Sequence, residues 1–185
     1  EHMRIFTFGA SSNKNSINQQ LAMYAASQFE PADIVTIDLN DFEMPLYSID
    51  RERDNGVPQA ARDFVSMIES SDLIIISFAE HNGSYSSIFK NLFDWSSRVN
   101  IKTFMGKPML LMAASTGKRG AISVLEAAAN RFPIHDAKIT GTFSFPEFGK
   151  NFNSMEGIVN AELKVIFDDL INRTKSILAD TEIIL

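Results

Sequence analysis

The chain has 185 residues, 45% hydrophobic and 22% charged, an ordinary globular balance that predicts one compact unit with a sizeable core. A net charge of -6 without any dense Lys/Arg stripe argues against a nucleic-acid footprint, and no apolar run approaches the length of a membrane span, so a soluble protein is expected. With no cysteine there is no disulfide framework, thiol nucleophile or thiolate metal site, and redox chemistry would need a borrowed cofactor.

Glu1-His2 ahead of Met3 reads as a cloning remnant, which leaves 3–185 as the expected single unit. The start has neither a basic stretch nor an apolar one, so a cytoplasmic location is expected. In chain order, a first strand is predicted over Arg4 to Phe8, after which Ile17, Leu21, Tyr24 and Ala25 repeat at helical spacing. A second strand follows at Ile34 to Ile37. Asp41 to Pro58 reads as the longest connection, with the charged run Arg51-Glu52-Arg53-Asp54 as solvated surface. Phe64, Val65 and Ile68 mark the next helix. Leu73 to Phe78, apolar on both faces and rich in β-branched residues, suits a central parallel strand. Ile88, Leu92 and Phe93 mark a helix, Met109 to Ala113 a strand, Ile122, Leu125 and Ala129 a helix, and Ile139 to Phe145 the last strand. Leu163, Ile166, Phe167, Leu170, Ile171, Ile177 and Leu178 close the chain with a long amphipathic helix. This alternation predicts βαβ units in a flavodoxin-like three-layer α/β sandwich, with a five-stranded parallel sheet of order 2-1-3-4-5.

Three loops at the carboxyl ends of strands 1, 3 and 4 then fall on one edge of that sheet, where ligands bind in open α/β folds. The first runs Ala10-Ser11-Ser12-Asn13-Lys14-Asn15-Ser16-Ile17-Asn18. Its hydroxyls and amides, ahead of a helix N-terminus, suit an anion such as a phosphate. Ser16 also suits a helix N-cap, but a cap needs one such residue and this loop has several. The second loop is Glu80-His81-Asn82-Gly83-Ser84-Tyr85, whose Asn82-Gly83 favours a turn and whose Gly83 lets a flat ligand approach the main chain. A plain strand-to-helix turn fits it as well. The third is Ser115-Thr116-Gly117-Lys118-Arg119-Gly120, with glycines that allow close approach. Lys118 and Arg119 either face solvent or draw the phosphates of a nucleotide. No Ser-His-Asp set, metal-ligand cluster or Gly-x-Ser-x-Gly elbow is present, and His135 reads as a surface or turn histidine.

The second loop and the following Lys90-Asn91 and Asp94-Trp95 resemble the NADPH-dependent FMN reductase family, whose pattern is Pro-Glu-Tyr-Asn-Gly-Ser followed by Leu-Lys-Asn and Asp-Trp. Ala79 stands at the proline and His81 at the tyrosine. Ser11, Ser16 and Asn18 match the family's first loop, with Ala10 at its glycine and Asn13 at its arginine, beside which Lys14 offers a point charge. Pro45-Leu46-Tyr47 and then Asp50 is a further match. The likeness runs from Met3 to about Arg131. It implies bound FMN, held by Ser11, Asn13, Lys14, Ser16, Ile17, Asn18, Glu80, His81, Asn82, Gly83 and Ser84, with Ser115, Thr116 and Gly117 along the pyrimidine side.

The resemblance further implies ping-pong transfer of hydride from NADPH or NADH to FMN and on to a small acceptor: a flavin, quinone, azo compound or metal oxyanion. It implies a homodimer or homotetramer, for which Phe89, Phe93 and Trp95 are candidate patch residues, although ordinary packing onto the sheet accounts for two of the three. The rival reading is a non-catalytic flavodoxin-like electron carrier or partner-binding module. The segment Glu147 to Phe152 has no role derivable from its residues.

Overall fold

A computed structural model describes residues 2–182. The main sheet holds β1 (Arg4–Ala10), β2 (Asp33–Thr36), β3 (Leu73–Phe78), β4 (Pro108–Ala114) and β5 (Lys138–Phe145) in the order β2-β1-β3-β4-β5, every pairing parallel. The helices are α1 (Ile17–Ser27), α2 (Ile49–Asn55), α3 (Gln59–Glu69), α4 (Ser87–Val99), α5 (Ile122–Arg131), the short α6 (Phe148–Asn151) and α7 (Ala161–Glu182). A two-stranded ribbon, β6 (Phe152–Asn153) with β7 (Gly157–Ile158), lies between the last two helices.

Side chains alternate along each strand, so the sheet feeds two cores. One gathers Phe6, Phe8, Ile74, Ile76 and Leu111 against α3, α4 and α5, and is rich in rings: Phe78 meets Phe89 at 5.3 Å and Phe132 at 5.7 Å between centroids. The other gathers Ile5, Ile75, Leu110, Met112 and Phe143 against α1 and α7. β3 is buried along its whole length, which explains why it reads as a continuous apolar run.

The stretch between β2 and α3 is more structured than its sequence predicts. A 3-10 turn over Leu39–Phe42 is followed by α2, capped by Ser48 and carrying no buried residue. Without an apolar stripe, nothing in its periodicity marks it as a helix. Two other expectations are corrected. Phe89, Phe93 and Trp95 are all buried within the chain, so none of them forms a surface patch. His135 does lie in a turn, the 3-10 turn Phe132–His135, but is buried there and not at the surface: its Nδ1 meets the Ile101 carbonyl at 2.7 Å, and its Nε2 accepts from Arg131 Nε at 3.0 Å.

Segment 147–152, without a derivable role in sequence, is an aromatic clasp. Phe148 stacks on Phe152 at 4.6 Å, Phe152 meets Tyr24 of α1 edge-on, and Tyr24 stacks on Phe167 of α7 at 5.2 Å.

Candidate functional site

β1, β3 and β4 are neighbours in the sheet, so the loops leaving their carboxyl ends emerge together. Side chains then bolt them to one another. Asn18, buried in the first turn of α1, accepts from Ser77 Oγ (2.7 Å) at the end of β3 and from the Ala114 N–H (2.9 Å) at the end of β4, while its Nδ2 donates to the Ala114 carbonyl (3.3 Å). Ser86, the N-cap of α4, donates to the Ala10 carbonyl at 2.9 Å. Glu80 Oε1 accepts from the Val124 N–H of α5 at 2.7 Å. Ser77 and Ser86 escape attention in the sequence; the available signal for Ser77 is a hydroxyl interrupting an otherwise apolar strand, which calls for a buried partner.

In the loop after β1, Ser11 is buried and its Oγ accepts from the Asn13 N–H, whereas Ser12, Asn13, Lys14 and Asn15 are exposed. Ser16 is the N-cap of α1, its Oγ accepting from the Gln19 N–H at 3.1 Å, and no acidic residue occupies that helix's first turn. Ile17 is half-buried. Gly9 explains how closely α1 approaches the strand end, since an added Cβ would overlap the backbone of Asn18 and Gln19. Asn40, from the segment after β2, donates to the Ser12 carbonyl at 3.0 Å. A cleft of about 370 Å³ opens there, with Ser12, Asn40, Glu43, Met44, Ser87 and Asn91 among its walls.

The loop after β3 is a tight hairpin turn. His81 and Ser84 exchange backbone hydrogen bonds of 3.0 and 3.1 Å around Asn82 (φ 51) and Gly83 (φ 76), the signs that an Asn-Gly primed turn requires. His81, Asn82, Gly83 and Ser84 are all exposed, and a Cβ on Gly83 would meet open space. Beneath the turn, the Tyr85 ring packs on Phe78, Phe89 and Phe132. Its hydroxyl is buried without a partner among the described residues, and burial pushes the phenol up to about 12 against the pull of Arg131.

The loop after β4 leans on the turn that follows β5: the Ser115 N–H donates to the Phe145 carbonyl, and the Glu147 and Phe148 N–H groups donate to the carbonyls of Gly117 and Ser115. Thr116 and Gly117 are exposed, and a Cβ on Gly117 would also meet open space. Lys118 and Arg119 are exposed, with Arg119 reaching Ser123 Oγ at 3.0 Å. Among the described residues there is no cluster of metal-ligating side chains.

Residues 3–149 match the profile of the NADPH-dependent FMN reductases. The chain belongs to that family. The match extends beyond Arg131, where the likeness of individual motifs stops, to the turn that supports the loop after β4. A 2-hydroxy-1,4-benzoquinone reductase of a Burkholderia species is 33% identical over 120 residues, 64% of this chain and 63% of that protein. A quinone reductase of Escherichia coli K12 is 29% identical over 121 residues, 65% of this chain and 64% of that protein. The aligned stretch thus spans less than two thirds of either relative's own length. Among solved structures, FerB of Paracoccus denitrificans, a flavoenzyme NAD(P)H:(acceptor) oxidoreductase, superposes with a TM-score of 0.74 at 19% identity, covering 95% of this chain and 98% of that one.

Against the family's motif, Asn91 and Trp95 hold the segment after β2: Asn91 accepts from the Tyr47 N–H at 2.8 Å and Trp95 Nε1 donates to the Pro45 carbonyl at 2.7 Å. Lys90 and Asp94 pair with each other on the surface.

Proposed function

We propose that the protein is an FMN-dependent NAD(P)H oxidoreductase that passes electrons to a small acceptor. The observation that carries this is the single platform made by the three loops, tied together by Asn18, Ser86 and Glu80, with an exposed polar loop at one end and an exposed glycine turn beside it. The residues fit a flavin mononucleotide. Ser12, Asn13, Lys14 and Asn15 surround the start of an uncapped-by-acid helix, the setting that favours a phosphate. Gly83 and Gly117 leave open space where a flat ring system can lie against backbone.

Bound FMN would supply the redox chemistry, a two-electron exchange between NAD(P)H and the acceptor of the ping-pong type. The chain's residues position and exclude. Lys14 and the polar loop would hold the phosphate, the Asn82-Gly83-Ser84 turn would offer main-chain and side-chain donors to the ring, and Ser115, Thr116 and Gly117 would line its pyrimidine side. Lys118 and Arg119 draw in the nucleotide phosphates. The cytoplasm is the proposed compartment; among the described residues, no helix is long and apolar enough to cross a membrane. A homodimer or homotetramer is proposed, with Leu46, exposed at the cleft, and the exposed Ile49 three residues on as apolar candidates for the contact.

The test is steady-state oxidation of NADPH by FMN-loaded protein with a benzoquinone series. Parallel double-reciprocal lines are expected. A rate no greater than that of free FMN at equal concentration would overturn the reading.

A further inference from the structure

α5 begins without a cap of its own. Its N-cap residue, Ala121, has no side-chain acceptor and sits at φ 55, directly after Gly120 at φ 62. Gly120 is pinned there, because an added Cβ would overlap Ser144, whose Oγ donates to the Gly120 carbonyl at 2.7 Å. The missing cap comes from a different loop. Glu80, the last residue before the hairpin turn, crosses to α5 and accepts the Val124 N–H at 2.7 Å, its carboxylate lying at the positive end of the helix.

The bond joins two segments that are 44 residues apart in the chain and that the proposed function places on either side of one ligand. On one side is the turn Asn82-Gly83-Ser84, whose backbone pairing starts at His81, the residue next to Glu80. On the other is the loop Ser115–Gly117, which reaches α5 only through four residues, Lys118 to Ala121. Ser86 ties the far end of the turn to Ala10, so Glu80 is the side-chain tie at its near end.

We infer that Glu80 is a positioning residue, not a cofactor ligand: its carboxylate caps α5 in place of the helix's own residues and so fixes the hairpin turn against the loop after β4. This rests on the proposed flavin site for its consequence but not for its geometry. A cap of this kind accounts for a carboxylate in a site that otherwise favours anions, since the carboxylate is engaged by the N-terminus of α5.

Hydrogen exchange on the protein without added flavin tests the tie, and flavin titration tests what it does. In Glu80→Ala, the amides of Val124, His81 and Ser84 are expected to exchange at least tenfold faster together, while Glu80→Gln, which keeps an acceptor oxygen, recovers most of the protection. Ala129→Gly, which weakens α5 near its other end, serves as the control. It is expected to lower the melting temperature as Glu80→Ala does, but to leave the His81 and Ser84 amides unchanged. In flavin titration, Glu80→Ala is expected to weaken FMN binding about tenfold and Ala129→Gly less than twofold. Unchanged exchange at His81 and Ser84 in Glu80→Ala would overturn the inference. A wild-type protein that ignores FMN but shows the exchange pattern would support the tie and sink the flavin reading instead.

Discussion

The exposed turn after β3 is tied at both ends to other elements, by Glu80 to α5 and by Ser86 to β1, and closed by its own His81–Ser84 pair, whereas the exposed run Ser12, Asn13, Lys14 and Asn15 after β1 is held, among the described residues, only by the Ser11–Asn13 bond and by Asn40 on the Ser12 carbonyl. In the proposed flavin site the two serve different halves of the ligand. A flat ring gains from a surface already in place, because nothing needs to be ordered when it binds. A phosphate tolerates a looser set of donors, since charge acts over a longer distance than a fitted contact.

The largest break in this arrangement is expected at Asn18, the strut beneath both loops. Asn18→Leu leaves Ser77 Oγ and the Ala114 N–H without partners in the interior, at a cost of about 3 kcal/mol. For a chain of this size the melting temperature should fall by roughly 6–12 °C. Gly83→Ala isolates the rigid loop: a left-handed φ of 76 costs a side chain about 1–2 kcal/mol even though open space awaits it. Gly117→Ala, equally open but without a positive φ, should change stability by less than about 0.5 kcal/mol when both variants are compared by denaturant titration.

Lys14→Ala probes the looser loop. Stability should hold, while FMN binding weakens about threefold at low salt and by less at high salt, as a screened exposed charge requires. The smallest effect is expected at Tyr85. Tyr85→Phe removes a buried hydroxyl that has no partner among the described residues, so stability at neutral pH should stay level or rise by up to about 1 kcal/mol. The phenol's raised value adds a sign. Between pH 10 and about 12 the unfolded chain releases this proton and the folded chain keeps it, so wild-type stability falls as pH rises through that window. The variant should show a shallower alkaline decline in thermal denaturation.

Much of the fold is legible in sequence because burial writes itself into periodicity. The five apolar runs match the observed strands to within two residues at each end, and β3 in particular is announced by its unbroken Leu73-Ile74-Ile75-Ile76. What escapes is structure held by something other than an apolar stripe. α2 is held by the Ser48 cap and by surface pairs such as Arg53–Asp50, three residues apart, and Arg98–Glu52, which leave no apolar stripe for the sequence pattern to show. The clasp of Phe148, Phe152, Tyr24 and Phe167 joins residues far apart in the chain.

At the site, the loop positions are legible and the division of labour among side chains is not. The family likeness implies Asn18, Ser16 and Glu80 as cofactor residues, with Ser16 also suited to an N-cap; in the structure Ser16 is that cap, and the side chains of Asn18 and Glu80 also bond the protein's own backbone, because a helix N-terminus or a strand end nearby lacks a partner. Only the three-dimensional neighbour decides between cap and ligand.

The most direct test of the platform is an absorbance spectrum of the protein mixed with FMN and desalted, followed by anaerobic NADPH. The account predicts a retained flavin band that bleaches on adding NADPH. A protein that emerges free of flavin, with a melting temperature that added FMN leaves unchanged, would contradict it and favour a partner-binding module on the same fold.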